Sequence, residues 1–451
     1  MGKYSNYKQS SYDWLGRVPQ HWDEKFLEQT ASEKCVKNSR NTVKQVLSLS
    51  YGEIKKKNNL NKGLIAQDLS TYQIVESGDI IMRLTDLQND HKSLRTGIVK
   101  NKGIITAAYL CLCPKINPEY LHYTLHAYDV KKVFYGMGGG VRQSIGFKDI
   151  RHMYVPVPPR AEQDQIVRFL DWKVSEINKL IGINRRQIGL LKGIIERKIS
   201  DIIIHGVNDN VPTKNSGTTW IGTIPANWQA IRCKYLFHER NQRSETGEEQ
   251  HLSMSQKYGL IPDSMLDEHR MLSVSYKGGK ICYKDDLVLN RLKAHLGVFA
   301  LAPQFGVISP DYTVLQPNIN RVIPAYAEMV LKSQPCRREL RIRVRGIIEG
   351  FWRLYTDDFN TIVIPVPPIE EQKKIMSYVD EYKAKTNNYI AMMEKEIEIL
   401  RELRSTIISD VVTGKIDVRN IPVPEYEHVD DLEADDGEDN DEETGIPGEE
   451  D

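Results

Sequence analysis

The chain has 451 residues, 40% of them hydrophobic, with 61 Lys and Arg against 61 Asp and Glu. That length implies roughly three domains, and no apolar run approaches the ~18 residues of a membrane span. The polar start, residues 1–8, lacks an apolar signal core, so the expected location is cytoplasmic with no membrane partner.

The zero net charge hides an asymmetry. Residues 425–451 hold 15 Asp or Glu and no Lys or Arg, so the first 424 residues carry 61 basic against 46 acidic side chains, a net of +15. Such an excess attracts polyanions.

In chain order, the first feature is Trp14-Leu15-Gly16-Arg17-Val18-Pro19-Gln20-His21-Trp22. It recurs as Trp220-Ile221-Gly222-Thr223-Ile224-Pro225-Ala226-Asn227-Trp228, at an offset of 206. Residues 10–157 then mix strand signals with turns. Residues 74–82 read as strand, turn, strand, and 103–110 as a further strand. Next stands Pro156-Val157-Pro158-Pro159-Arg160-Ala161-Glu162-Gln163, which recurs as Pro365-Val366-Pro367-Pro368-Ile369-Glu370-Glu371-Gln372, at an offset of 209.

Each Pro-Pro opens a long helical pattern. Over residues 160–205, Val167, Val174, Ile181, Ile188, Ile195 and Ile202 repeat every seven, with Leu170, Ile177, Asn184, Leu191 and Lys198 three further on. That is an a/d heptad with β-branched residues at a. Residues 216–366 hold loose counterparts of the first segment at 284–289 and 306–312. Over 369–413, Val379, Thr386, Met393, Leu400 and Ile407 repeat every seven, flanked by Tyr382, Tyr389, Leu403, Ile390 and Ile397. Pro-Pro suits a first turn, Glu and Gln there complement the dipole, and Gly206 and Gly414 are natural stops. A helix of six heptads is roughly 65 Å long and would expose its stripe alone. The two are therefore expected to pair as an intramolecular coiled coil, with Asn184 fixing register. From Pro422 the acidic composition predicts disorder.

Catalytic signatures are missing. Six cysteines form no Cys-x-x-Cys pair, so no zinc framework is expected. Gly136-Met137-Gly138-Gly139-Gly140 is followed by Val141 where a dinucleotide fingerprint needs glycine, and Gly279-Lys280 has Val274 where a phosphate-binding loop needs its first glycine. Neither Pro-Pro pair follows Asn or Asp, as an amino-methyltransferase loop requires. The chain is thus expected to be non-catalytic, with no cofactor or metal of its own. Trp-x7-Trp around Gly and Pro is a possible base-stacking platform, or a pin holding each domain to the helices.

The combined pattern, from residue 12 to about 418, resembles the specificity subunits of type I restriction-modification systems. The resemblance rests on the Trp-Leu/Ile-Gly-x-x-Pro-x-x-Trp openings and the Pro-Val-Pro-Pro-x-x-Glu-Gln helix starts. The helix ends Ser200-Asp201-Ile202 and Ser409-Asp410-Val411 match as well. The long acidic tail departs from that pattern.

The resemblance implies a mixed α/β (α+β) fold as a pseudo-twofold repeat: target recognition domains at 1–157 and 208–366, long antiparallel spacer helices at 158–207 and 367–420, and a disordered acidic tail at 421–451. It implies a reader of a bipartite site in double-stranded DNA. Partners would be two methyltransferase subunits, which use S-adenosylmethionine to methylate adenine, and motor-nuclease subunits when restriction is required.

Base readers need polar side chains on loops. The candidates are Arg83, Lys92, Arg95, Arg142, Gln143 and Ser144 in the first segment. In the second they are Arg291, Lys293, His295, Arg341, Arg343, Arg345 and Arg353. Arg142 and Arg353 stand in similar places before the Pro-Pro helices and are expected to share a role. Lys55-Lys56-Lys57 is a candidate for nonspecific phosphate contact. On residues alone a coiled-coil scaffold that binds proteins, or a self-sufficient enzyme, stays open. Salt-dependent duplex binding tests against the first, and methyl transfer by the chain alone tests the second.

Overall fold

The computed structural model describes residues 2–12, 14–50, 52–57, 69–85, 87, 94–136, 145–208, 210–255, 258–265, 276–346 and 352–430. It divides into two units. The first comprises residues 1–185 and 394–451, and the second residues 186–393. The loops carrying Lys92, Arg142, Gln143 and Ser144 lie outside the described residues. No helix among the described residues is long and apolar enough to cross a membrane.

Each unit is built around the same four-stranded antiparallel sheet. In the first the order is Ala31–Glu33, Leu110–Pro114, Ile80–Met82, Thr96–Ile98, and in the second Phe237–Arg240, Tyr312–Pro317, Leu287–Asn290, Phe299–Leu301. Strand side chains alternate between faces, and the apolar runs supply both. In the first unit Ile80, Met82 and Leu112 join the main core, while Ile81 and Cys111 join a smaller cluster with Leu47, Val75 and Ile105. In the second, Leu287, Leu289 and Leu315 face the main core and Val288 and Val314 the smaller one. The 74–82 reading holds as Gln73–Val75 and Ile80–Met82, but each strand pairs with a distant partner rather than with the other.

The long helices run Arg160–His205 and Ile369–Val412. In the first unit they are antiparallel: Gln165 lies against the chain just past the second helix, donating to the carbonyls of Val418 (3.1 Å) and Ile421 (2.8 Å), while Asn178 meets Arg404 (2.8 Å). In the second unit Ile202, Ile203 and Ile204, from the end of the first helix, share a core with Ile375 and Val379, from the start of the second. The predicted a positions Ile181, Ile188, Ile195 and Ile202 are buried, with Asn184 half-buried. In the second helix the seam runs through Ile390, Met393 and Ile397, whereas Tyr389 and Leu403 turn outward.

The repeated motifs explain themselves as clamps. In each Pro-Pro-x-x-Glu-Gln the glutamine is buried and staples the helix start to the loop before a shorter helix. Gln163 donates to the Pro158 carbonyl (2.8 Å) and accepts from the Asn117 N–H (3.1 Å). Gln372 donates to the carbonyls of Pro367 (2.8 Å) and Arg321 (3.0 Å) and accepts from the Ile323 N–H (2.7 Å). Replacing Gln372 with Ala removes the partner of one buried and two part-buried main-chain groups, so chemical denaturation should show the second unit losing about 2–3 kcal/mol.

Trp22 and Trp228 are fully buried, so they do not form a stacking platform for bases. They pack against the helix stops: a side chain at Gly206 would begin 3.3 Å from the Trp228 ring, and one at Gly414 3.2 Å from Trp22. In the first unit Glu162 adds a polar lock, accepting from Tyr4 (2.6 Å) and Trp22 (3.0 Å) and meeting His21 (2.8 Å).

Residues 421–430, expected to be disordered, are instead strapped to the first long helix. Ser175 meets His428 (3.1 Å), and Asn178 donates to the Val429 carbonyl (2.9 Å). Polar side chains on the helix face supply partners that composition cannot reveal. Residues 431–451 lie outside the described residues.

Candidate nucleic-acid interface

In the second unit the chain gathers most of the predicted basic residues at one corner. The strand Leu287–Asn290 ends at Arg291, and Lys293 precedes the short 3-10 turn Ala294–Leu296, which packs against the helix Gln334–Arg343. That helix carries Arg337, Arg338, Arg341 and Arg343 against one acid, Glu339. The cations at its C-terminal end suit the helix dipole. Beyond it, Arg345 and Arg353 face each other in a two-residue antiparallel bridge, with both N–H···O bonds at 2.8 Å. The next N–H, of Leu354, donates to the Arg291 carbonyl at 3.0 Å, which returns this hairpin to the strand end.

Within the corner the arginines divide by chemistry. Arg291 donates through Nε to the Asp311 carbonyl (2.7 Å). Arg343 pairs with Glu339 and donates to Thr361 Oγ1 (3.1 Å), and Arg345 pairs with Asp358. These three are anchored by internal acceptors. Lys293, Arg341 and Arg353 are exposed and, among the described residues, make no side-chain ion pair. They are the groups free to neutralise phosphate or reach a base edge. His295 lies in the same turn, but its side chain falls outside what is described.

Among the described residues the first unit repeats one bond of this geometry. The Ile145 N–H donates to the Leu84 carbonyl at 3.0 Å, the counterpart of the bond from Leu354 to Arg291. The expected pairing of Arg142 with Arg353 is not described on this side, because Arg142 and Ser144 lie outside the described residues. Arg83 is half-buried at the end of Ile80–Met82, and its N–H donates to the Arg95 carbonyl at 2.8 Å.

Arg95 itself is a correction. It is fully buried, donating to the carbonyls of Thr85 (2.7 Å) and Arg83 (3.1 Å) and to the Tyr135 hydroxyl (3.0 Å). A guanidinium offers five donors, and here they serve to tie a loop base together. Arg95→Ala should therefore cost about 2–3 kcal/mol in denaturation experiments through orphaned carbonyls.

Sequence reading missed two tyrosines. Tyr120 donates to the Pro156 carbonyl (2.8 Å), and Tyr326 to the carbonyls of Ile203 (2.9 Å) and Pro365 (3.3 Å). Each fastens the Pro-Val-Pro-Pro strand from within its core. The signal was present: Pro118-x-Tyr120 and Pro324-x-Tyr326 recur at the same offset of 206 as the tryptophans.

The helices also leave apolar residues uncovered, between 42% and 68% exposed. In the first unit these include Leu180, Ile183, Ile399 and Leu403, and in the second Leu190, Ile194, Tyr389 and Met392. The positions 180, 183, 190 and 194 map onto 389, 392, 399 and 403 at the 209-residue offset of the Pro-Pro motif. Each unit thus presents an equivalent set.

Residues 231–399 match the family model described as the type I restriction modification DNA specificity domain. A relative from Methanocaldococcus jannaschii, the putative type I restriction enzyme MjaX specificity subunit, is 24% identical over 450 residues, covering 92% of this chain and 98% of its own. The MjaVIII specificity subunit of the same organism is 24% identical over 342 residues, covering 71% and 76%. Among solved structures, a chain from work on the complex assembly and conformational transition of the type I R-M system shares the fold. Its TM-score is 0.58 at 14% identity, over 88% of this chain and 99% of that one. Residues 231–399 thus match a type I restriction modification DNA specificity domain, and over most of its length the chain, with its two clamped units and paired long helices, is similar to type I restriction enzyme specificity subunits.

Proposed function

We propose that this chain reads DNA sequence for a type I restriction-modification complex and performs no chemistry itself. Each unit reads one half of a bipartite duplex site through its own loops, and partner subunits bound to the long helices supply adenine methylation from S-adenosylmethionine and, when recruited, cleavage. The observation that carries this reading is the duplication. The frame is the same twice, down to the glutamine staple and the sheet order, while the loops at the strand ends differ. An unlike pair of loops on a like pair of frames is what two different half-sites require.

The exposed apolar sets, equivalent in the two units, support two copies of one partner, since identical partners need equivalent surfaces. Fully apolar patches on a protein surface commonly mark such interfaces. The cytoplasm is the compartment where such a complex meets DNA.

Mapping methylated adenines in cells carrying this chain and its methyltransferase tests the proposal. Two short sequence elements at a fixed separation are expected. Methylation at one uninterrupted element, or methyl transfer by the purified chain alone, would overturn it.

A further inference from the structure

The strap that follows the second long helix ends against the recognition segment of the first unit. Glu427 lies 3.6 Å from Lys179, and Asp430, the last described residue, pairs with Lys100 at 2.9 Å. Lys100 lies three residues before the strand Gly103–Ile105, which pairs with Gln73–Val75. Three further basic segments converge on that pair of strands. Lys37 bridges Gln73; the Ile104 N–H donates to the Gln45 carbonyl (2.8 Å) beside Lys44; and the Lys57 N–H donates to the Val46 carbonyl (3.0 Å). Lys37, Lys44 and Lys56 are exposed. Lys102, on the same edge, is partly offset by Glu76 at 3.3 Å.

Past Asp430 the sequence continues for 21 residues with 12 Asp or Glu and no Lys or Arg. A chain of that length reaches at most about 70 Å, and tethering gives it an effective local concentration on the order of millimolar. Its attachment point is fixed by the strap, at Lys100. A tail that only aided solubility would need no such anchorage.

We propose that residues 431–451 occupy the basic surface around Lys37, Lys44, Lys56 and Lys100 as a built-in competitor for nucleic acid. Nonspecific duplex, held by phosphate contacts alone, competes poorly with the tethered tail. A cognate site, which adds base contacts, displaces it. The tail thereby trades affinity for discrimination. This inference rests on the DNA-reading function proposed above.

The test uses three forms of the full-length protein: the wild-type chain, a truncation after Asp430 that keeps the strap, and a full-length form with the 12 tail acids replaced by Asn or Gln. Each is titrated with a random-sequence duplex by fluorescence anisotropy, from about 0.05 to 0.5 M salt. Both altered forms should bind random duplex about tenfold more tightly at the low end, with the difference vanishing at the high end as screening sets in. Equal affinity of all three forms, within twofold at low salt, overturns the tail proposal and leaves the DNA-reading function standing. A gain in the truncation but not in the neutralised tail also overturns it, because charge would then not be the cause. Failure of every form to bind duplex sinks both.

Discussion

Gly414→Ala should destabilise the first unit by about 3–5 kcal/mol, measured by chemical denaturation, far more than Gly206→Ala at the equivalent stop in the second unit. Both glycines have left-handed backbones, with φ of +74° and +95°, and each loses that freedom on gaining a side chain. What differs is the space. At Gly414 the new methyl would sit 2.3 and 2.5 Å from ring carbons of Pro19, against 3.3 Å to its nearest neighbour at Gly206. Pro19 belongs to the opening motif, between buried Val18 and buried Trp22, and cannot yield without moving the core. The steric clash therefore adds an overpacking cost of about 1–3 kcal/mol to the backbone strain. Equal losses at the two glycines would mean that the Pro19 contact relaxes freely.

The second large effect concerns binding. Replacing Lys293, Arg341 and Arg353 together with Ala should weaken duplex affinity about a hundredfold near 0.1 M salt and flatten the dependence of log affinity on log salt by about 2–3, since each phosphate contact contributes roughly 0.9 to that slope. The melting temperature should change little, because all three are exposed and none makes an internal ion pair among the described residues. Arg343 and Arg345 provide the control, being engaged by Glu339 and Asp358. An unchanged salt slope in the triple variant would place the DNA surface elsewhere on the second unit.

These contrasts show where sequence reading stops. The thirteen candidates were chosen as donors on loops, and residue type cannot distinguish an exposed arginine from a structural one. Arg95 follows a loop and precedes a strand, as a base reader might, yet it is fully buried because nearby carbonyls needed its donors. Arg341 and Arg343 differ by two positions on one helix, which sends them to different faces. Only the fold says which face meets Glu339.

The sequence by itself determined the duplication, the two long helices and the β-branched seam, because repeats and heptads are local patterns. Their physics depends on spacing along the chain and needs no knowledge of partners. It also marked the prolines and glutamines as helix starts and offered the tryptophans as a pin, without naming the groups that each one meets. The tertiary structure decided that these residues are clamps, since the Gln163 staple exists only once the Pro158 carbonyl and the Asn117 N–H have been brought together across about 40 residues of chain. It decided too which acidic residues stay with the body. The strap to Asp430 is held by Ser175, Asn178 and Lys100, partners more than 250 residues away that composition cannot register.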